Sequence, residues 1–370
     1  MLSAPSEHSD HMQTALSLAR RGLGNVWPNP AVGCVIVKDG RVVGRGWTQP
    51  GGRPHSETGA LKQAGSQAKG ATAYVTLEPC NHHGQTPPCT DALIEAGISK
   101  VVIGCLDPDS RVSGTGAARL KEAGIQVEIG IYAKEGKAIN CGFFSRIEYK
   151  RPMFTLKVAT TLDGRIATQG GESQWITGPE ARRAGHLFRA RHDAVMVGSG
   201  TVVADDPTLT SRLPGVENKS RPRIVMDGRL RLSLKSKLVK SIPDAPLWIV
   251  TSNNRDAKSV EDLAHRGAQV IEIPADENGH PNIHAAVAEL GKRGLTRILV
   301  EGGGQLVSSL LEAEYIDRIA WFRAPSIMGE EGIPSIGKLN IKKISELSEF
   351  KRISSRNIGE DCLDILDRRR

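Results

Sequence analysis

Hydrophobic and polar positions along the chain fall into two successive series of α and β periodicity. Met12, Ala15, Leu16 and Ala19 lie on one face of a predicted helix over 10–22, which Asp10 can cap and Gly22 can stop. A Pro-rich loop, Trp27-Pro28-Asn29-Pro30, leads to two alternating runs over 34–37 and 42–46, joined by Asp39-Gly40, a strong hairpin signal. A helix is predicted over 57–65, with Ala60, Leu61 and Ala64 inward, and a buried strand over 73–77. A helix over 89–96, a strand over 101–104, a helix near 116–123 and a strand over 127–131 complete an α/β/α layer. The pattern then restarts. Strands at 153–159, 194–197, 223–226, 247–250, 270–273 and 298–300 alternate with helices, among them 179–190, which predicts an α/β domain with a largely parallel sheet. Runs at 318–322 and 362–366 are expected as edge strands, antiparallel to the rest.

A chain of 370 residues is too long for one typical core, so two domains are expected: 1–147, a linker over 148–152, and 153–370. The N-terminus has no run of signal-peptide kind and no apolar stretch is long enough to span a bilayer, so a cytoplasmic protein without a membrane partner is expected. Six cysteines in this length are no disulfide framework, and Cys34, Cys105, Cys141 and Cys362 read as plain buried thiols. The net charge of +8 is spread along the chain, apart from Arg368-Arg369-Arg370, and aromatics are only 4%. A nucleic-acid binder would cluster its basic residues among aromatics; a diffuse positive balance suits small phosphorylated ligands instead.

The chemistry concentrates between His55 and Cys89. His55, Cys80 and Cys89 offer one imidazole and two thiolates, three good zinc ligands that leave a fourth position for water, as a catalytic zinc requires. Glu57, two residues from the first ligand, can reach that water without binding the metal. His-x-Glu followed by Pro-Cys and a second Cys is the pattern of zinc deaminases, with the Glu as general acid/base. Here the second Cys follows the first by nine residues, not three, which marks a distinct class. Two competing readings are plain buried thiols beside a surface His, and a structural zinc with His82 or His83 as fourth ligand, which would leave Glu57 superfluous. The Asn29 amide can meet an amino-pyrimidine edge, or is simply an Asn in a Pro-rich turn. Glu301-Gly302-Gly303-Gly304 joins a strand to a helix and lets backbone N–H groups approach a phosphate, although it is not a full dinucleotide fingerprint. Asp205-Asp206-Pro207 reads as a turn that caps a helix or meets a cofactor hydroxyl.

Together these segments resemble the bifunctional riboflavin-biosynthesis deaminase/reductase family. The likeness rests on Pro28-Asn29-Pro30, His55 to Glu57, Glu78-Pro79-Cys80 and Gly84-Gln85-Thr86-Pro87-Pro88-Cys89 in the first half. In the second half it rests on Leu162-Asp163-Gly164-Arg165, Ser173-Gln174-Trp175-Ile176-Thr177, 198–207 and Glu301-Gly302-Gly303-Gly304. It covers nearly the whole chain and implies a cytidine-deaminase-like α/β/α domain followed by a dihydrofolate-reductase-like α/β domain. It implies hydrolysis of the 2-amino group of 2,5-diamino-6-(5-phosphoribosylamino)pyrimidin-4(3H)-one, then reduction of the ribosyl side chain to ribityl by NADPH. One zinc ion per chain, held by His55, Cys80 and Cys89, would bring its water to a pKa near 7, with Glu57 moving the protons.

The resemblance also assigns the reductase residues. Ala159, Trp175, Thr177, Thr201, Asp205, Gly303 and Gly304 would hold the nicotinamide cofactor. Asn29 in the first half, and Ser173, Arg189, Leu209, Arg212 and Glu301 in the second, would meet substrate, Arg189 and Arg212 as phosphate partners. Lys157 would polarise the opened sugar carbonyl, unless it is a strand lysine facing solvent. The chain departs from the family pattern at Ser56, where Ala is usual, and at Gln85 and Thr115, where many relatives have Lys or Arg; the last two bear on how the first site holds the substrate phosphate. A homo-oligomer is expected. Two other readings are a deaminase of another base or nucleotide with a non-catalytic C-terminal binding domain, and a zinc-stabilised RNA-binding protein. The RNA binder would need a basic aromatic face and a fourth protein ligand to the zinc.

Overall fold

The structure is a computed structural model that describes residues 7–84, 86–110, 112–215, 221–253 and 255–369. Gln85 and Arg370 thus lie outside the described residues. The chain divides into two compact units, Met1–Lys150 and Arg151–Arg370.

The first unit carries helix α1 (Glu7–Ala19), the hairpin β1 (Gly33–Lys38) and β2 (Arg41–Trp47), α2 (Ser56–Ala64), β3 (Thr72–Leu77), α3 (Cys89–Glu95), β4 (Lys100–Cys105), α4 (Thr115–Glu122), β5 (Gln126–Ile129), α5 (Ala133–Ile139) and α6 (Cys141–Tyr149). Asp39 and Gly40 both adopt positive φ, 47° and 70°, as a two-residue hairpin turn requires. The five strands order as β2-β1-β3-β4-β5, antiparallel at the hairpin side and parallel from β3 to β5. Alternation along β1 sorts the two faces. Cys34 and Ile36 join Val75, Leu77, Val101 and Ile103 under Ala60 of α2, Leu93 of α3 and Leu120 of α4. Val35 and Val37 join Tyr74 and Val102 under Met12, Ala15, Leu16 and Ala19 of α1. Both faces are covered, so this is the expected α/β/α layer. The helices α5 and α6 were not expected; Gly136 and Gly142 interrupt their apolar pattern.

The second unit begins on β6 (Met153–Thr160), β7 (Arg165–Ala167), α7 (Pro179–Ala190), β8 (Ala194–Gly198), α8 (Ser199–Asp205), β9 (Arg223–Met226), α9 (Lys237–Lys240), β10 (Leu247–Ser252), α10 (Ala257–His265) and β11 (Gln269–Ile273). It continues with α11 (Ile283–Lys292), β12 (Arg297–Glu301), α12 (Gly304–Glu312), β13 (Ile316–Arg323), β14 (Ile333–Pro334), β15 (Phe350–Ile358) and β16 (Asp361–Arg368). Nine strands form one sheet in the order β11-β10-β9-β8-β12-β6-β13-β16-β15, while β7 and β14 pair separately. All pairings from β11 to β13 are parallel, and only β16 is reversed, antiparallel to both of its neighbours, β13 and β15.

Two expectations need correction here. Neither the run at 318–322 nor that at 362–366 is an edge: β13 lies between β6, to which it is parallel, and β16, and β16 lies between β13 and β15. The edge is β15, exposed along most of its length and so without an alternating apolar signal. The expected linker over 148–152 is also shorter. Glu148 and Tyr149 close helix α6, and Arg151 is already bound into the second unit. Its Nη1 and Nη2 donate to Asp317 Oδ2 and Oδ1, both at 2.8 Å, and Asp317 Oδ2 also accepts the Phe154 N–H at 2.9 Å.

In the first unit α2 lies against β2 more closely than any side chain would permit. A Cβ at Gly44 would stand 2.3 Å from the Ala60 carbonyl oxygen, and one at Gly46 2.0 Å from that of Ser56. Gly46→Ala is therefore expected to cost about 3 kcal/mol, the upper part of the usual range for over-packing. Gly59→Ala in the same helix, where the nearest atom is 3.6 Å away, is expected to be neutral or stabilising. Urea unfolding of the two variants checks the contrast.

Candidate active sites

The first site forms where three backbone segments end together. His55 holds the N-cap position of α2 with extended backbone, φ −67° and ψ 161°, which places Glu57 in the helix's first turn. Cys80 follows the end of β3 across Pro79, and Cys89 is the first residue of α3. The His55, Cys80 and Cys89 ligand atoms lie within 4.8 Å of one another and are the one such His/Cys/Asp/Glu group among the described residues. His55 Nδ1 is 3.3 Å from Cys89 Sγ and 3.6 Å from Cys80 Sγ. Tetrahedral zinc with ordinary Zn–N and Zn–S bonds puts such atoms about 3.5 Å apart, so the donors fit a zinc ion in both type and spacing. His82 and His83 are exposed and outside the group, which argues against a four-protein-ligand structural site.

Glu57 is buried, with 3% of its surface exposed, and accepts a hydrogen bond from Ser56 Oγ at 2.8 Å. Burial pushes its carboxyl up, reinforced by the neighbouring Cys80, against the pull of His55. Cys80 is the acidic thiol of the pair. The Cys89 thiol donating to it holds it down to about 4 against burial, helped by His55 and by the Cys89 N–H 3.4 Å away. Cys89 is raised for the same reason, as the donor to Cys80.

Two neighbours shape this site. Asn29 packs against the segment that leads into His55: a Cβ at Gly52 would stand 1.9 Å from its Nδ2. Glu78, absent from the sequence-based assignments, ties the Cys80 turn to α4. Its Oε2 accepts the Gly114 and Asp107 N–H groups at 2.9 and 3.2 Å, and its Oε1 accepts the Ala117 N–H at 3.0 Å. Its place in Glu78-Pro79-Cys80 was the available signal. Thr115 is exposed, its hydroxyl donating to the Val112 carbonyl at 2.7 Å.

The second unit holds a cavity of about 930 Å³ at the carboxyl ends of β6, β12, β8 and β9, where open parallel sheets bind ligands. Lys157, Ala159, Ser173, Arg189, Thr201, Asp205, Leu209, Glu301, Gly303 and Gly304 all line it. Trp175, Thr177 and Arg212 do not. Trp175 is 64% exposed beneath the Arg182 guanidinium, Thr177 is buried with its carbonyl accepting from Arg182 at 2.7 Å, and Arg212 is exposed. Sequence reasoning missed Arg229, Arg231 and His280, which line the cavity from loops without a motif.

At the β6 end of the cavity three charges meet. Arg189 donates from Nε and Nη2 to the two Glu301 oxygens at 2.7 and 2.6 Å, and from Nη1 to the Thr210 carbonyl at 2.9 Å. Most of this guanidinium is thus committed to the wall. Lys157 faces the cavity, not solvent, with its Nζ 5.8 Å from the Phe322 ring centroid. Burial lowers the Lys157 ammonium, Glu301 raises it and Arg189 lowers it again. In mid-cavity Gly302 and Gly303 take φ of 76° and 84°, a turn closed to side chains, before α12 begins at Gly304. The Thr201 hydroxyl lies 3.4 Å from where a Cβ would be on either glycine.

A His/Cys/Cys donor group that fits zinc, beside a buried carboxylate, in one unit and a nucleotide-sized cavity over a parallel sheet in the other are the arrangement of a two-domain deaminase and reductase. Residues 5–105 match the cytidine and deoxycytidylate deaminase zinc-binding region, and residues 152–363 match the RibD C-terminal domain. The chain belongs to the RibD family, the bifunctional deaminase/reductases of riboflavin biosynthesis. It is 42% identical to the riboflavin biosynthesis protein RibD of Aquifex aeolicus over 97% of this chain and 98% of that one. It is 39% identical to RibD of Escherichia coli over 96% and 98%. The Acinetobacter baumannii RibD structure superposes with a TM-score of 0.87 at 36% identity, covering 98% of this chain and 99% of that one. The enzyme therefore joins a zinc-binding deaminase domain to a reductase domain that takes a nicotinamide cofactor, and acts on a small pyrimidine. No helix among the described residues is long and apolar enough to cross a membrane.

Burial pushes the Glu301 carboxyl up, but Arg189 and then Lys157 outweigh it and hold it at about 2, below its ordinary 4.5. A carboxylate depressed by this much contributes about 3 kcal/mol of stability. That contribution is complete above the ordinary carboxylate range and is lost as pH falls toward 2. Denaturant unfolding of wild type and Glu301→Gln is expected to show a gap at about pH 6 that narrows steadily to about pH 3.

Proposed function

We propose that the first unit hydrolyses the 2-amino group of 2,5-diamino-6-(5-phosphoribosylamino)pyrimidin-4(3H)-one, and that the second reduces the ribosyl side chain of the product to ribityl with NADPH. The observation that carries the first step is a buried carboxylate, Glu57, beside the His55, Cys80 and Cys89 donor group. A related structure from Thermotoga maritima, 34% identical, is described as a diaminohydroxyphosphoribosylaminopyrimidine deaminase/5-amino-6-(5-phosphoribosylamino)uracil reductase.

His55, Cys80 and Cys89 would hold a zinc ion, which when bound would supply an acidified water. Glu57 would take one proton from the attacking water as the new C–O bond forms at the ring carbon bearing the amine. It would pass that proton to the ring nitrogen, then take the remaining proton of the hydroxyl now on the ring carbon and give it to the amino group, which leaves as ammonia as the C–N bond breaks and the carbonyl forms. Burial serves this shuttle, because a carboxyl raised above its ordinary range is a stronger base toward the water's proton. Asn29, beside the His55 segment, would hold the amino-pyrimidine edge.

In the second unit the nicotinamide supplies a hydride when bound. Lys157 would hold the oxygen of the opened ribosyl carbonyl and give it a proton. Ala159, Thr201, Asp205, Gly303 and Gly304 would seat the cofactor, and Ser173, Leu209 and Glu301 the substrate, with Arg189 fixing Glu301. These contacts are drawn from residues that line the cavity. We further propose that the enzyme works in the cytoplasm as a homo-oligomer, on a phosphorylated small molecule and not on nucleic acid.

A two-stage assay on the purified chain tests the proposal. Ammonia should be released without cofactor, and NADPH should be consumed only once deaminated product is present. Ammonia without NADPH consumption would sink the second half, and neither signal in zinc-loaded protein would sink the substrate assignment. Glu57→Gln is expected to slow ammonia release by about 10²–10⁴-fold with zinc content unchanged. Stripping the metal should abolish ammonia release while reduction of supplied deaminated product continues.

A further inference from the structure

The two segments that bring the zinc donors together are bridged at their outer ends by one side chain. Arg53 stands two residues before His55, on extended backbone with φ −146° and ψ 148°. Its Nη1 donates to the hydroxyl of Thr86, three residues before Cys89. A Cβ at Gly84 would stand 3.4 Å from Nη2, so the guanidinium lies against both Gly84 and Thr86. Gly84 and Thr86 are exposed and Arg53 is half-buried, which puts this guanidinium at the rim of the site and not in its core. One position back along the chain, Gly52 packs on the Asn29 amide proposed to hold the ring edge.

The hydrogen bond to Thr86 occupies only part of the guanidinium fork. Among the described residues Arg53 has no ion-pair partner. The carboxylates of the ligand-bearing segments are committed elsewhere. Glu57 is buried and bonded to Ser56 Oγ, and Glu78 accepts backbone N–H groups from Asp107, Gly114 and Ala117. Asp107 in turn accepts the Asp109 N–H at 2.8 Å. Between 48 and 59 and between 78 and 89 the sequence has no lysine and no other arginine. Arg53 is therefore the permanent cation that these two segments present at the rim.

We propose that Arg53 binds the phosphate ester of the substrate in the deaminase site, and so makes ammonia release selective for the phosphorylated form. The inference rests on the deaminase reading given above. To react, the ring must sit at the zinc donors and Glu57, which leaves the ribosyl chain to run outward to the rim. A phosphate monoester arriving there is a dianion, and a guanidinium meets it with paired, charge-assisted hydrogen bonds. The contact lies away from the reacting bond. It holds ground state and transition state alike, so its loss falls on KM.

Ammonia release by the zinc-loaded full-length chain, without NADPH, tests this on the phosphorylated substrate and on the same compound with its phosphate removed. Wild type is expected to favour the phosphorylated form about ten- to a hundredfold in kcat/KM, and rising salt should narrow the gap. Arg53→Gln should keep its zinc, raise KM for the phosphorylated form by a similar factor and bring the two forms close together. Arg53→Lys should recover part of the preference. Thr86→Val, which removes the hydroxyl but not the charge, should keep most of it. Equal wild-type kcat/KM for the two forms would overturn the proposal and leave the deaminase reading standing. So would an Arg53→Gln variant that loses kcat with KM unchanged, or a Thr86→Val variant that loses the preference as fully as Arg53→Gln, since either would make Arg53 a brace for the loop alone. No ammonia from either form would overturn it together with the deaminase reading. The wild-type comparison needs no variant to fold.

Discussion

A carboxylate taken out of water must be compensated, and the first unit turns on how it compensates Glu57. An isolated buried ion costs several kcal/mol even after relaxation, and a serine hydroxyl alone does not offset that. Around Glu57 stand an imidazole and two thiols whose donor atoms already have the spacing of zinc ligands. A dication among them offsets the thiolates and the carboxylate together, so the ligand group and the acid/base residue are one electrostatic unit. The packing serves it. Glycines at 44 and 46 let α2 settle onto β2, which carries His55 and Glu57 inward, while Glu78 fastens the Cys80 turn to α4.

The second unit balances its buried charges with protein groups alone. Arg189 occupies both oxygens of Glu301, so that carboxylate stays ionised at any ordinary pH and forms no close ion pair with Lys157. Lys157 is left as a partly desolvated cation facing the cavity, pressed toward losing its proton by burial and by Arg189. On the proposed reading that is a useful state, since an ammonium with no carboxylate bound to it has its hydrogen bonds free for a substrate oxygen.

Much of this was legible in the sequence because the first site is specified locally. His55 with Glu57, Pro79 with Cys80, and Cys89 each sit at a helix start or a strand end that periodicity alone can place, so their convergence follows from the α/β alternation. The losses have physical causes. Strand β15 is exposed on both faces and held mainly by backbone pairing to β16, so it has no alternating pattern to read. Strand β13 was read as an edge because burial on both sides depends on partners far away in sequence. Trp175, Thr177 and Arg212 are not among those losses: motif position placed them, and they stand outside the lining of the cavity.

The two sites also differ in how topology uses the chain. Zinc ligands need only meet at a point, and 35 consecutive positions, 55 to 89, suffice. An extended cofactor needs groups in a line, and the line here runs β6, β12, β8, β9, whereas the chain visits them as β6, β8, β9, β12. Inserting β12 between β6 and β8 places Glu301 and the glycine turn next to Lys157, about 140 residues away in sequence by the parallel crossovers that join such strands. A linear reading therefore finds the lysine at 157 and the glycine turn at 302 without their adjacency. It overlooks 229 and 231, because they join the cavity lining only by lying two strands beyond that turn.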